Sequence, residues 1–253
     1  MKDKVIEIIR EAGAIIRDNF YLKKNITTKS TAIDLVTNID KKVELFLKEQ
    51  LGKVIPNSAF WAEETDSKFT QSEYLWIIDP IDGTTNFVHQ FPYVCISVAF
   101  QHNGQTTHAF VYNPIMEEFF TAEKGKGAYL NNKPIHVSTE EKLSSSLVAT
   151  GFPYDYNAEP NNMRHFDVMM EHVQGIRRPG SAALDLCHTA NGIFNGYWEF
   201  HLQPWDMAAG ILIVREAGGI VLDIENKEHS LLSKGLICGN EMIVNRMLEV
   251  FAK

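Results

Sequence analysis

Two stretches of the chain repeat apolar side chains every three or four positions, which is the spacing of an amphipathic helix. The first predicts a helix over residues 3–21, and the second predicts a helix with Val43, Phe46, Leu47 and Leu51 on one face. A last helix is expected after Asn240, because asparagine is a favoured N-cap residue and apolar positions follow it at helical spacing. Residues 25–33, between the first two helices, are polar and lack this period, so we expect a mobile loop there.

Continuous apolar runs elsewhere in the chain predict buried β-strands. The runs over residues 93–100 and 107–112 flank Asn103-Gly104, a dipeptide that favours a tight hairpin turn. Residues 118–122 and 127–130 predict a second pair of strands. Helices and strands are therefore mixed along the first part of the chain.

The chain becomes polar near residue 140, and residues 138–146 are typical of a boundary. We expect two lobes, an N-terminal α+β lobe over 1–140 and a C-terminal α/β lobe over 141–253. Strands and helices alternate beyond the boundary. They are a strand over 147–150, a helix around 162–174, a helix starting near Ser181, a helix after Trp205 that ends at Gly218-Gly219, and strands over 220–223 and 236–238.

The segment over residues 79–86 carries the most informative polar side chains. The apolar run over residues 74–78 predicts a strand, and Pro80 removes a backbone donor, so the strand is expected to end at Asp79. Asp79 and Asp82 then lie at a strand end, followed by a glycine and two threonines where a helix can begin. Carboxylates suit a hard cation, and free N–H groups at a helix start suit a phosphate. A metal and phosphate site is predicted, with a plain surface turn as the alternative.

Two further acidic segments bear on that prediction. Glu63 and Glu64 lie upstream, and Asp206 precedes an apolar helix. By themselves, paired glutamates are as typical of a solvated surface as of a site, and Asp206 is equally well placed as a helix cap.

Composition and charge narrow the class of protein. The chain has 253 residues, of which 45% are hydrophobic and 22% charged, as in an ordinary soluble protein. A net charge of -8 disfavours broad nucleic-acid binding. No apolar run approaches the roughly 18 residues that span a bilayer, and the charged N-terminus does not resemble a signal peptide. Three cysteines in apolar surroundings predict reduced thiols in a cytoplasmic protein.

Five motifs, carried by six segments in order between residues 29 and 219, resemble those of the inositol monophosphatase family. Residues 76–89, which read Trp-Ile-Ile-Asp-Pro-Ile-Asp-Gly-Thr-Thr-Asn-Phe-Val-His, resemble the first family signature, and residues 205–219 resemble the second. Residues 62–65 are similar to a Gly-Glu-Glu-Ser/Thr element, with Ala62 in place of the usual glycine. The remaining matches are residues 34–40, similar to an N-terminal element, and residues 180–186 with 197–199, similar to substrate-side segments.

The resemblance implies a fold and an activity. The fold would be the layered αβαβα sugar-phosphatase fold, of class α+β, with the active site between the two lobes. The activity would be hydrolysis of a small phosphorylated polyol or sugar, with inositol monophosphate as the first candidate. Lithium sensitivity and a homodimer are expected as well. The chain pattern by itself predicts only a mixed α and β protein.

A metal site follows from the same resemblance. It implies that Glu63, Asp79 and the backbone carbonyl of Ile81 bind a first metal ion, and that Asp79, Asp82 and Asp206 bind a second, with a third ion near Glu63. Carboxylates gathered this closely cannot all stay ionised without a cation. Because these ligands are oxygens, and no His or Cys pair has zinc-ligand spacing, two or three Mg²⁺ ions are expected, with Mn²⁺ as a substitute.

The catalytic assignment is a water-based mechanism. The resemblance implies that Thr84 orients the attacking water and that Asp40 is its partner, so that this pair removes the proton. Glu63 belongs to the same catalytic group. The sequence shows no motif for an activated serine or cysteine nucleophile, which favours a metal-activated water attacking in line, without a phosphoenzyme.

The substrate side is implied in the same way. Backbone N–H groups of Gly83 and Thr84, together with the metals, would hold the phosphate, and Glu199 would bind a substrate hydroxyl. Asp82 is counted among the substrate-binding residues as well. A lysine in the loop before the second helix, Lys29, would close over the site, although an ordinary surface lysine is an equal alternative. The sugar pocket would be lined by Gly180, Ser181 and Ala182.

The substrate itself stays open, because relatives use one metal site for several esters. NADP(H), fructose 1,6-bisphosphate and other small phosphate esters are alternatives to inositol monophosphate. A different class of function is also open, namely a regulatory protein-binding role in transcription or RNA processing.

Overall fold

The structure is a computed structural model that describes residues 1–23, 26–28, 35–66, 68–153, 160, 162–225 and 227–252. Its α-helices are α1 (Lys2–Asn19), α2 (Asn38–Val54), α3 (Thr84–Val88), α4 (Met163–Met170), α5 (Ala182–Ala190), α6 (Pro204–Glu216) and α7 (Glu241–Phe251). Its strands are β1 (Ile26–Thr28), β2 (Leu35–Thr37), β3 (Ala59–Ala62), β4 (Tyr74–Asp82), β5 (Cys95–His102), β6 (Gln105–Asn113), β7 (Glu118–Glu123), β8 (Ala128–Leu130), β9 (Lys133–Pro134), β10 (Leu147–Thr150), β11 (Gly175–Arg177), β12 (Gly196–Phe200), β13 (Ile220–Leu222) and β14 (Gly235–Gly239).

A seven-stranded sheet, in the order β3-β4-β5-β6-β7-β8-β9, forms the first β layer. Helices cover both of its faces. Trp76 and Ile78 of β4 pack in one apolar cluster with α1 and α2, whereas Leu75 and Ile77 pack in another with α5 and α6. Because successive side chains of a strand point to opposite faces, a strand covered on both sides needs an unbroken apolar run, which is what the sequence shows.

A five-stranded sheet, in the order β11-β10-β12-β14-β13, forms the second β layer. On β12, Tyr197 packs with α5 and α6, while the next residue, Trp198, packs with α7 and with Met169 of α4. The layers therefore follow the order α1/α2, seven-stranded sheet, α5/α6, five-stranded sheet, α4/α7. This order confirms the layered αβαβα fold of class α+β.

The two sheets lie on either side of the predicted boundary at residue 140, but α5 and α6 share one apolar cluster with both of them. The division into lobes over 1–140 and 141–253 stays a prediction. In the part of the chain that the structure describes, no helix has the length and apolar character required to cross a membrane.

Local signals in the sequence account for several element ends. Asn103 and Gly104 both have positive φ, 51° and 76°, as the tight turn between β5 and β6 requires. The Asn240 side chain accepts a hydrogen bond from the backbone N–H of Ile243 and so caps α7. Gly218, with φ of 85°, follows the end of α6.

The loop expected over residues 25–33 needs one correction. Ile26–Thr28 is a strand, paired antiparallel with Leu35–Thr37. The backbone pairing, rather than an apolar period, makes this segment regular, and three residues are too few to show a period in the sequence. Residues 24–25 and 29–34 lie outside the described residues.

Candidate active site

Asp79 and Asp82 lie on one strand, which ends at Asp82 and not at Asp79 as the sequence predicted. β4 continues through Pro80 to Asp82, pairing Asp79 with Ser97 and Asp82 with Cys95 of β5. Between these two pairs β4 advances by three residues while β5 advances by two, so β4 contains a β-bulge. Within the bulge Pro80 is not required to donate a backbone hydrogen bond to β5. In a regular strand positions 79 and 82 would face opposite sides. The extra residue lets both carboxylates line the same cavity.

That cavity has a volume of about 470 Å³. It brings together segments from β3, β4, α3, α5, β12 and α6. The predicted site residues that line it are Glu63, Asp79, Ile81, Asp82, Gly83, Thr84, Gly180, Ser181, Ala182, Glu199 and Asp206. Asp40 lies behind Thr84, to which it is hydrogen-bonded. Lys29 lies outside the described residues.

Glu63 follows β3, where its backbone N–H donates to the carbonyl of Ile78 at 3.2 Å. The next two residues are held by Glu44, a fully buried carboxylate on α2. Glu44 accepts from the backbone N–H of Glu64 at 2.7 Å and from the hydroxyl of Thr65 at 2.5 Å. Sequence reasoning missed Glu44, and the signal for it was a carboxylate beside Val43, on a helix face that is otherwise apolar.

Asp82 ties the bulged strand to the start of α5. Its Oδ2 accepts from the hydroxyl of Ser181 and from the backbone N–H of Ala183, both at 2.7 Å. Ser181 also caps α5, because its side chain accepts from the backbone N–H of Leu184. Asp79 is held more locally, since its Oδ1 accepts from the N–H of Ile81 at 3.0 Å. The structure therefore orients these carboxylates through protein hydrogen bonds.

Thr84 and Asp40 form a buried pair. The Thr84 hydroxyl lies 3.1 Å from Oδ1 of Asp40 and 3.1 Å from the carbonyl oxygen of Ile81. The other oxygen of Asp40 accepts from the backbone N–H and the hydroxyl of Thr37, as the capping box of α2. Burial raises the pKa of Asp40, against the lowering effect of its hydrogen bonds to Thr37 and Thr84.

Gly83 makes the turn from β4 into α3 with φ of 93°, a conformation that favours glycine. A Cβ at this position would lie 2.9 Å from the carbonyl oxygen of Tyr93 and 3.3 Å from that of Gly180. The Asn86 amide links the same two segments, because it donates to the carbonyls of Tyr93 and Pro179 at 2.9 Å each. Asn86 stands inside the first signature, but its bridging role depends on tertiary contacts that the sequence does not display.

Asp206 lies in the first turn of α6, where its Oδ2 accepts from the backbone N–H of Gln203 at 2.7 Å. A carboxylate there is stabilised by the helix dipole. Ser97 of β5 donates its hydroxyl to the carbonyl of Trp205 at 3.2 Å and so fixes this helix end against the first sheet. Asp206 therefore caps α6, which is one of the two alternatives that the sequence left open. It also lines the cavity.

Glu199 lies on the opposite wall, on β12. Its Oε2 accepts from the hydroxyl of Tyr197 at 2.5 Å, and a Cβ at position 151 would lie only 2.1 Å from that oxygen, so Gly151 leaves room for the carboxylate. Burial raises the pKa of Glu199 to about 7. Tyr197 and Trp198 are fully buried core residues, and Asp185 is a further buried carboxylate that accepts from the hydroxyl of Tyr93 at 2.7 Å.

The carboxylates of the cavity raise one another's pKa. Burial is the largest cause for Asp79, Asp82 and Asp206, and it raises the pKa of Asp82 to about 6. For Asp79 the charges of Glu63, Asp82 and Asp206 add to burial and hold its pKa well above the usual range. Asp206 is raised well above its usual range too, by burial and then by the charges of Asp82 and Glu63. A cation in the cavity would relieve this repulsion.

The donor set fits a hard divalent cation. Carboxylates of Glu63, Asp79, Asp82 and Asp206 and the carbonyl of Ile81 all line the cavity, and oxygen ligands of this kind suit Mg²⁺. Among the described residues, no three His, Cys, Asp or Glu side chains already form a closed ligand cluster. The fit therefore rests on the donor chemistry and on the shared cavity.

Comparison with known proteins adds an independent result. The model of the family described as "Inositol monophosphatase family" matches residues 2–252. An "Inositol-1-monophosphatase" of Rhizobium meliloti (strain 1021) is 39% identical, with 98% of this chain and 95% of the relative covered. A "Nus factor SuhB" of Pseudomonas aeruginosa is 38% identical, with 98% and 94% covered.

A solved structure shows that the similarity extends to the fold. The "extragenic suppressor protein suhB from Bartonella henselae" superposes with a TM-score of 0.93 and 36% sequence identity, covering 100% of this chain and 98% of that one. The layered architecture described above is therefore shared over the whole chain.

Proposed function

Because the chain belongs to the inositol monophosphatase family, we propose that it is a Mg²⁺-dependent phosphomonoesterase that hydrolyses inositol monophosphate to inositol and phosphate. One observation carries the proposal. The four carboxylates of Glu63, Asp79, Asp82 and Asp206 line one cavity with the Thr84 hydroxyl, which is hydrogen-bonded to the buried Asp40. This is the arrangement that metal-assisted hydrolysis of a phosphate ester needs.

Glu63, Asp79, Asp82, Asp206 and the carbonyl of Ile81 would hold two or three Mg²⁺ ions, with Mn²⁺ as a substitute. The ions would supply Lewis-acid chemistry, making a water molecule a better nucleophile and stabilising the leaving oxygen. The protein's own contribution is to fix these ligands. The hydrogen bonds from Ile81 to Asp79, from Ser181 to Asp82 and from Gln203 to Asp206 do so.

Thr84 and Asp40 would manage the proton of the attacking water. The Thr84 hydroxyl donates to Asp40, which leaves a lone pair free to accept a hydrogen bond from water and so to orient it. As the water gives a proton to the Thr84 hydroxyl oxygen, the hydroxyl would give its own proton to Oδ1 of Asp40, which becomes neutral, while Thr37 holds Oδ2 in place. Glu63, which lines the same cavity, is assigned to the catalytic residues together with Thr84 and Asp40.

The substrate would bind between the two walls of the cavity. Backbone N–H groups of Gly83 and Thr84, beside Asp82, would hold the phosphate. Glu199 would accept a hydrogen bond from a hydroxyl of the polyol, and the turn of Gly180, Ser181 and Ala182 would line the sugar pocket. Lys29 is proposed to close the site, on the family resemblance alone.

Other esters and another class of function stay as alternatives. NADP(H), fructose 1,6-bisphosphate or a further small phosphate ester would use the same carboxylates. A regulatory protein-binding role in transcription or RNA processing is favoured by one observation, the similarity to a relative named Nus factor SuhB. The experiment that separates them is a panel of these esters, assayed for phosphate release with Mg²⁺, run beside a pull-down with the same protein. Phosphate release supports the enzyme, whereas a stable partner without any release supports the regulator.

The proposed assembly is a cytoplasmic homodimer. Cys95, Cys187 and Cys238 are buried free thiols, which fits a reducing compartment. Phe91 and Ile193 are half-exposed apolar side chains, at 50% and 49%, and an interface between two copies would remove side chains of this kind from water. Light scattering on the purified chain tests the dimer, and a monomeric mass would contradict it.

Replacing Thr84 with alanine should lower kcat by about 100-fold with little change in KM, because the hydroxyl orients water in the transition state whereas the phosphate is held by other groups. Asp40→Asn should behave likewise, and the double mutant should be less than additive, since both residues act through one hydrogen bond. Steady-state kinetics of the three variants tests this. Thr85→Ala, the exposed neighbour on α3, is the matched control and should keep full activity. Fully additive losses would argue against a coupled pair.

Lithium should inhibit the enzyme, because Li⁺ is close to Mg²⁺ in size but carries half its charge, so it can occupy an oxygen site without giving the same stabilisation. The inhibition should be uncompetitive or noncompetitive toward substrate if Li⁺ takes the second site after phosphate is bound. Phosphate release is measured against LiCl, with NaCl at equal ionic strength as the control. Identical curves for the two salts would contradict lithium sensitivity, while a Mg²⁺ phosphatase would stand.

A further inference from the structure

A second cavity, of about 640 Å³, shares no lining residue with the candidate active site. It lies between α6, the turn that joins β5 to β6, and the segment over residues 229–232. Its apolar wall includes Trp61, Ile211, Leu212 and Leu231. Cavities of this size with mostly apolar walls and a few polar groups are typical of small-molecule sites.

One polar side chain in this wall lacks partners. His229 is only 7% exposed, and within the described part of the chain neither of its ring nitrogens has a hydrogen-bond partner. Burial and then the charge of Arg215 lower the pKa of His229 to about 4, so at neutral pH the ring is uncharged, with one donor and one acceptor. A buried donor or acceptor without a hydrogen-bond partner destabilises the folded chain, because its bond to water is lost and not replaced. A ligand with a hydrogen-bonding group would recover part of that cost.

The net charge of the cavity lining is positive, because two basic side chains accompany one acidic side chain. Lys124 and Arg215 both line it, and among the residues that the structure describes neither forms an ion pair. The acidic residue in the wall, Glu216, is already engaged, because its two carboxylate oxygens accept from the backbone N–H groups of Gly125 and Gly127 at 2.8 Å. Because Glu216 is directed to these backbone groups and the net charge of the lining is positive, an anionic ligand is favoured.

We propose that this cavity binds a small organic carboxylate, with its apolar body against Trp61 and Leu212 and its carboxylate between Arg215 and His229. The apolar wall favours a ligand with an apolar body, and Lys124 and Arg215 favour a negatively charged group on it. The imidazole of His229 adds a hydrogen-bond donor. The inference does not depend on the proposed function, since it uses no residue of the candidate active site.

The test uses 4-phenylbutyrate and its neutral counterpart 4-phenyl-1-butanol, each titrated into the full chain by calorimetry. The acid should bind saturably with a Kd of roughly 1 mM or tighter, as expected for a ligand of this size, and the alcohol at least about 5-fold more weakly. Arg215→Gln should weaken the acid by about 5-fold and leave the alcohol unchanged. Gln105→Trp, at an exposed position of the cavity mouth, should abolish binding of both.

Arg246→Gln is the matched control, an exposed arginine on α7 that is remote from the cavity lining, and it should bind the acid like the parent chain. Absence of saturable binding by the acid would overturn the proposal, as would equal affinity of acid and alcohol, or equal losses in Arg215→Gln and Arg246→Gln. Light scattering gives one more outcome. If Gln105→Trp alone is a monomer while the parent chain is a dimer, a second copy of the chain covers the cavity, and the proposal is overturned.

Discussion

Replacing Asp79 with asparagine should lower kcat/KM for phosphate release by at least about 1000-fold, a loss of about 4 kcal/mol in transition-state stabilisation. Asparagine keeps the shape of the side chain and can still accept the hydrogen bond that the N–H of Ile81 donates. It loses the negative charge in a cavity where Glu63, Asp82 and Asp206 are the other charged neighbours. Metal ligation should therefore fail while the fold persists. Phosphate release at saturating Mg²⁺, with circular dichroism as the check on folding, measures the effect.

The same result is expected for Asp82→Asn and Asp206→Asn, with one difference. Asp82 also accepts from Ser181 and Ala183, so its substitution should lower the melting temperature as well. Asp223→Asn is the matched control, because Asp223 likewise accepts a local backbone N–H, that of Lys227, but does not line the cavity. Near-normal turnover in a folded Asp79→Asn chain would contradict the assignment of this residue as a metal ligand.

Replacing Gly83 with alanine should both destabilise the fold and remove most of the activity. Alanine at φ of 93° costs about 1–3 kcal/mol in backbone strain. Its Cβ would also lie 2.9 Å from the carbonyl of Tyr93, a contact that must be relieved by moving the turn. Because the N–H groups of this turn are proposed to hold the phosphate, such a movement should lower kcat/KM by about 100-fold or more. Thermal unfolding and steady-state kinetics give the two effects.

The variant Gly104→Ala separates the effect of backbone strain from the effect of moving the turn at Gly83. Gly104 has a similar φ of 76°, but no atom lies within 4 Å of a Cβ placed there. This variant should lose stability by about 1 kcal/mol, which lowers Tm by about 2–4 °C in a chain of this size, and it should keep full activity. If Gly83→Ala lost stability to the same extent and also kept its activity, the turn would have no part in the site.

Elements with a local cause were predictable from the sequence. The helix over residues 3–21 is α1, and the hairpin at Asn103-Gly104 joins β5 and β6, because apolar spacing and turn chemistry act within a few residues. The end of β4 was predicted wrongly. Proline stops a strand only where its missing N–H is needed, and the bulge between β4 and β5 removes that need.

The residues of the candidate site likewise fall into those that the sequence predicted and those that it did not. Residues of the two signatures were predicted from the family resemblance, and the structure brings them to one cavity, although their roles stay predictions. Glu44 and Asn86 were not identified, because each acts through contacts with segments distant in sequence. Lys29 lies outside the described residues, so its assignment rests on the resemblance alone.

The central claim is that carboxylates in this cavity bind Mg²⁺ to hydrolyse a phosphate monoester. The most direct measurement is phosphate release from inositol 1-phosphate by the purified chain, before and after removal of divalent ions by a chelator, and again after Mg²⁺ is added back. We expect turnover to fall to background on chelation, to return with added Mg²⁺ in the parent chain, and not to return in Asp79→Asn. Turnover that persists without divalent ions, or that Mg²⁺ restores equally in both chains, would contradict the account.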